Sequence, residues 1–269
     1  MDYCSGIWGY QNFGKLNTIH NRAQRLYLGV HRFAPNLAIN GDMGWVNSNT
    51  RRKIEMLRLW NRLIKMDNSR LTKKIFLWDK DKNVRNWSNE VLKLLTDIGL
   101  EQNFYQSALA DLDYCKDILF SSDKELWCQQ VTNVPKLRTY IVYKTLYDVE
   151  PYVYRVLHRG HRSILAQFRT GILPLAIETG RYNDTPPENR FCILCNENLV
   201  EDESHFLFQC KLYEDERQIL FEEAEKGDKN FAIKGVQEKL NILMSTECIK
   251  QTAKFLYTCY FKRRNVLYN

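Results

Sequence analysis

Read as apolar and polar positions, the chain is dominated by a repeat of three to four residues. In RRKIEMLRLWNRLIKM, from Arg51 to Met66, Ile54, Leu57, Trp60, Leu63 and Ile64 recur at that spacing and form one face of an amphipathic helix. Asn49 or Thr50 is expected to cap it. Val91, Leu94, Leu95 and Ile98 repeat the pattern and predict a helix over Ser88 to Ile98; another is expected around Ser107 to Phe120, and DKDKNVRN is a polar connection. PKLRTYIVYKTLYD, from Pro135, reads as a further helix, although Tyr140, Val142 and Tyr143 leave a strand open. TGRYNDTPPENR, with Gly180, Pro186 and Pro187, is a loop. After Cys210 the helical period returns over Tyr213 to Ala224 and, beyond the break at Gly227, over Ala232 to Leu243 and Cys248 to Lys262. The expected class is mainly α: a helical connector, a small cysteine- and histidine-bearing module, and C-terminal helices. The expected regions are residues 1–80 (basic and helical), 81–150 (a helical linker), 151–225 (a basic helix plus the module) and 226–269 (last helices).

Composition narrows this picture. With 269 residues and 44% hydrophobic side chains, the chain can bury one sizeable core or two modest ones. No run approaches the roughly 18 apolar residues that a bilayer span needs, and MDYCSGIWGYQNF lacks the pattern of a secretory signal. The expectation is a soluble intracellular protein, nuclear or cytoplasmic, with no membrane partner. In that setting the eight cysteines are metal ligands or core residues rather than a disulfide framework. A formal charge of +7 favours polyanionic partners such as nucleic acid.

The stretch FCILCNENLVEDESHFLFQC gives the cysteines a specific chemistry. Cys192, Cys195, His205 and Cys210 follow the pattern C-x2-C-x9-H-x4-C. Two cysteines spaced by two residues can present both sulfurs to one ion, and a histidine and a cysteine from the next segment complete a tetrahedron. Three thiolates and one imidazole suit one structural Zn²⁺, with no position left for an activated water. Cys4, Cys115, Cys128, Cys248 and Cys259 sit among apolar neighbours and read as core residues.

RGHRSILAQFRTGILPLAIETGRYNDTPPENRFCILCNENLVEDESHFLFQCKLYEDER resembles the region after the polymerase core in jockey-type non-LTR retrotransposon reverse transcriptases, through its basic helix, FRTG, GRY and CCHC knuckle. IHNRAQRLYLGVHRFAPNLAINGDMGW and RLWNRL are similar to the segment that joins the polymerase thumb to that knuckle, which makes residues 1–80 thumb- or connector-like. The resemblance covers about Gly6 to Glu216 and implies the carboxyl-terminal piece of such an element, whether truncated, decayed or a stand-alone derivative. It also implies a polymerase-bearing partner.

Catalytic motifs do not emerge from the sequence. A reverse transcriptase palm needs adjacent aspartates for two metal ions; the nearest pair, Asp111 and Asp113, would point in different directions on a helix. The chain is therefore expected not to be an enzyme. RNA or single-stranded DNA contacts are expected between Pro151 and Ile177, where Arg155, His158, Arg159, His161, Arg162 and Arg169 alternate with Tyr152, Tyr154 and Phe168 and no acid intervenes. Arg51, Arg58 and Arg62 form a second basic row that Glu55 can neutralise, and Arg22, Arg25 and Arg32 a third. Around the knuckle, Glu197, Glu201, Asp202 and Glu203 would repel phosphate, so the ion is expected to clamp the loop onto the helix from Tyr213 while the basic helix makes the contact. A zinc-stabilised interaction or structural protein, or a decayed fragment with no selected activity, remains the alternative.

Overall fold

The computed structural model describes residues 3–82 and 84–268. Among them there is no strand, only an isolated antiparallel bridge between Phe191 and Val200, so the protein is mainly α. No helix among the described residues is long and apolar enough to cross a membrane. The chain forms two compact units, one of Met1–His20 with Val46–Leu126, the other of Asn21–Trp45 with Trp127–Asn269.

In the first unit, helix Ser48–Lys65 buries Ile54, Leu57, Trp60 and Leu63 against Val91, Leu94 and Leu95 of helix Trp87–Asp97. The predicted stripes are the core faces. Trp60 stacks on Phe104 with ring centroids 5.3 Å apart, and its Nε1–H donates to the Ala108 carbonyl at 3.1 Å. The first cap lies earlier than expected: the Asn47 side chain, not that of Asn49 or Thr50, accepts a helix N–H, that of Asn49. The helix expected from Ser107 begins at Leu112 and runs to Val131. Ser107 itself has φ +52°, a left-handed conformation that closes the short helix Glu101–Tyr105.

The second unit holds one continuous core. Helix Arg159–Arg169 packs on the last helix, Ile249–Tyr268, and Leu165, Phe168, Leu256 and Cys259 are buried in the same cluster. Burying a Leu or Phe side chain stabilises by about 1.5–3 kcal/mol, so this seam is the main support of the unit. Pro135 opens only a 3-10 turn, Pro135–Leu137, and a single helical turn follows at Tyr140–Tyr143 instead of the long helix or strand. The reason is Tyr140: it is fully buried, and its hydroxyl donates to the Ala38 carbonyl and Asp42 Oδ1. The basic segment is also interrupted. Helix Pro151–Arg155 ends before His158, whose Nδ1 accepts the His161 N–H and caps the next helix.

Candidate metal centre

Cys192 and Cys195 lie on a short hairpin. The Cys192 N–H donates to the Leu199 carbonyl at 2.8 Å, and the Glu201 N–H to the Arg190 carbonyl at 2.9 Å. Asn196 and Asn198 close it with φ of +56° and +53°, which asparagine tolerates better than most residues. His205 opens one wide helical turn, His205–Gln209, started by its N–H donating to Asp202 Oδ1 at 2.7 Å. The Cys210 N–H returns to the His205 carbonyl at 2.8 Å. This folding brings the four side chains together with all ligand atoms within 4.8 Å of one another. Cys192 Sγ lies 3.9 Å from Cys210 Sγ, and Cys195 Sγ 3.5 Å from His205 Nε2. Such a group can hold a metal ion.

The hydrogen bond with Cys210 lowers the Cys192 thiol from its ordinary range, and the same contact together with burial raises Cys210. Burial pulls His205 down, but the hydrogen bond to Cys192 and its charge outweigh it, and the imidazole ends above its usual value. His205 Nδ1 is buried without a hydrogen-bond partner.

Around the cluster, the acidic residues are already engaged, contrary to the repulsive shell the sequence suggests. Glu201 forms a buried ion pair with Arg263 of the last helix, accepts the Ala176 N–H at 2.7 Å, and is raised to about 7 by burial against the pull of Arg263. Glu203 accepts from Arg138 at 2.6 Å and from the Thr139 hydroxyl at 3.1 Å. Glu197 pairs with Lys211. Helix Glu214–Gly227 is tied to the cluster by Arg217, which donates to the carbonyls of Leu207, at 3.0 Å, and Cys210. Ile172, Leu173, Leu175 and Ile177 lie in one core with Leu212 and Leu220, whereas Ile219 is 64% exposed.

The basic residues separate into groups. Arg155 and Arg159 are exposed; His161 is half-buried, with ring centroids 4.2 Å from His158 and 4.7 Å from Tyr257. Arg162 lies over the Tyr27 ring at 4.8 Å and donates to the Val156 carbonyl at 3.1 Å. Arg169 corrects the sequence reading: it is 1% exposed, pairs with Asp42 and Glu150, and cannot reach an external phosphate. Tyr152 and Phe168 are buried as well, which leaves Tyr154 as the exposed ring of the three expected to stack on bases. Arg51, Arg58 and Arg62 are exposed on helix Ser48–Lys65, and Arg58 pairs with Glu55 as anticipated. Asp111 Oδ1 accepts the N–H groups of Asp113 and Tyr114, and Asp113 pairs with Lys116, so these carboxylates organise a helix start.

Sequence reasoning missed Arg217 and Arg263, and gave Glu201 a place near the cluster but not the Arg263 partner through which it mounts it. Arg217 carried a signal, being the only cation between Glu214 and Glu225; the pairing of Arg263 with Glu201, 62 residues apart, carried none. No family model, curated protein or solved structure matches the chain.

Proposed function

We propose that Cys192, Cys195, His205 and Cys210 hold one structural zinc ion. The chain is then a noncatalytic helical module that binds RNA or single-stranded DNA, derived from a jockey-type non-LTR retrotransposon reverse transcriptase and acting beside a polymerase-bearing partner. The observation that carries the metal is the spacing of the ligand atoms. At zinc distances of about 2.3 Å to sulfur and 2.1 Å to nitrogen, a tetrahedron has a sulfur–sulfur edge of about 3.8 Å and a sulfur–nitrogen edge of about 3.6 Å. The corresponding separations are 3.9 and 3.5 Å. Three thiolates favour zinc over harder ions, and four protein ligands make the ion structural.

Nucleic-acid binding is supported by the +7 charge, by exposed Arg155 and Arg159, and by the internal pairing of the acids around the cluster. Elemental analysis should give one zinc per chain; its absence from metal-replete protein would reject the centre. Affinity for a generic single-stranded RNA should fall steeply with salt, and primer extension should stay at background. A second reading, a zinc-stabilised interaction protein, is favoured by the burial of Arg169 and the internal contacts of Arg162; RNA affinity that ignores salt would select it.

A further inference from the structure

The turn Pro135–Leu137 and the segment from Glu178 to Arg190 line an open cavity of about 500 Å³, to which the basic helix contributes no residue. Lys136, Arg138, Arg181 and Arg190 line it, with Glu178 the one carboxylate on its wall. Glu178 is shared: Oε1 takes Lys136 Nζ, and Oε2 takes Arg181 Nη1 at 3.2 Å. Arg138 reaches the buried Glu203 at 2.6 Å. Arg190 donates to two carbonyls, Nε to Thr185 at 2.8 Å and Nη1 to Ile177 at 2.6 Å. Four cations thus face two carboxylates, and the excess of two positive charges lies beside apolar Val134, Pro135, Ile177 and Pro187. An apolar wall lowers the local dielectric and strengthens pairing with an anion.

The cavity is also held in shape. A Cβ at Gly180 would lie 2.7 Å from Arg190 Cγ, so the glycine lets the arginine cross its backbone closely. Arg190 cannot yield easily because both carbonyl contacts fix it. Its own carbonyl accepts the Glu201 N–H at the base of the cysteine hairpin, which couples the cavity wall to the metal centre. A phosphate group fits this wall: it brings one to two negative charges and acceptor oxygens that match guanidinium forks.

We propose that this cavity binds a phosphate group, supplied in the chain's function by a backbone phosphodiester of single-stranded nucleic acid. The choice of nucleic acid rests on the function proposed above; the preference for phosphate stands on the cavity alone. Arg181 is 53% exposed and Glu178→Gln preserves shape, so both positions can be changed without emptying the core.

The test uses the full zinc-loaded chain and two probes: inorganic pyrophosphate by calorimetry and a labelled oligouridine by anisotropy over a salt series. Arg181→Ala should weaken both about tenfold at low salt and reduce the oligouridine salt slope by about 0.7. Glu178→Gln releases Lys136 and Arg181 and should tighten both about threefold, a gain that a merely structural carboxylate would not give. A response with pyrophosphate alone upholds the phosphate site and assigns it to a free phosphate compound. Parental behaviour of both variants with both probes overturns the site. If Arg155→Ala with Arg159→Ala then still abolishes oligouridine binding, the nucleic-acid reading survives that failure. If the parent binds no oligouridine, that reading fails and the pyrophosphate arm decides the site.

Discussion

Arg169 shows how far a residue's chemistry depends on its surroundings. In the sequence it belongs to a run of cations, and its type and spacing are those of a phosphate contact. In the fold, Nε and Nη2 donate to Asp42 at 2.9 and 2.8 Å, and its guanidinium lies within 4.6–5.7 Å of the rings of Tyr140, Tyr143 and Tyr152. Arg169→Met would leave Asp42 charged and buried, with a cost of about 3–5 kcal/mol. Arg169→Lys should also destabilise, because an ammonium cannot reproduce the bidentate, stacked geometry. Urea unfolding measures the loss, while the salt slope for RNA of the folded Arg169→Lys protein should match the parent. A changed slope would restore Arg169 as a phosphate contact. The metal ligands were legible because their chemistry depends on short spacing within one segment. Asp42 lies 127 positions from Arg169, beyond any local pattern.

The cysteines extend the residue-scale argument. Cys4 and Cys128 are exposed, whereas Cys115, Cys248 and Cys259 are buried. Burial, aided by the Asp111 charge, pushes the Cys115 thiol up to about 11, and the thiolate is the reactive species. Iodoacetamide at pH 8 should therefore label Cys4 and Cys128 first in zinc-loaded protein. Cys192, Cys195 and Cys210 should become reactive only after chelation. Mass spectrometry of the labelled peptides checks the order, and early labelling of Cys210 in the loaded protein would contradict a bound ion.

At the scale of elements, the long helices were legible and their interruptions were not. Ile54, Leu57, Trp60 and Leu63 repeat because one face must be buried, and that requirement is written locally. The break after Arg155 depends on His158 capping its own helix, and the shortened turn at Tyr140 depends on a hydroxyl seeking Asp42. Caps were readable in kind but not in position, since VNSNT offers four candidates in succession. Asn47→Ala should cost about 1 kcal/mol because its side chain accepts the Asn49 N–H, whereas Asn49→Ala acts elsewhere, by removing the acceptor of buried Arg52. Arg263→Met tests a larger joint. It removes the partner of buried Glu201 and the donor to the Pro174 carbonyl at 3.0 Å. Thermal unfolding should show it to be several-fold more damaging than the Asn47 cap change.

For the whole molecule, the question is how far the metal's influence reaches. The ligands Cys192 and Cys210 belong to the same buried cluster as Leu165, Phe206 and Leu256, whereas Trp60, Leu95 and Phe104 belong to another. Arg217 and the Glu201–Arg263 pair carry the cluster's position into helices Glu214–Gly227 and Ile249–Tyr268. Structural zinc contributes apparent free energies of about 10 kcal/mol in small domains, comparable to the whole stability of a domain. Cys195→Ser should therefore loosen residues 164–177, 192–213 and 249–263 together, rather than the hairpin alone. Hydrogen exchange should show faster exchange in those three stretches and unchanged protection over 54–64 and 91–98, whose core contains no ligand. If only 192–201 lost protection, the cluster would be an appendage, and Arg217 and Arg263 would not transmit its hold.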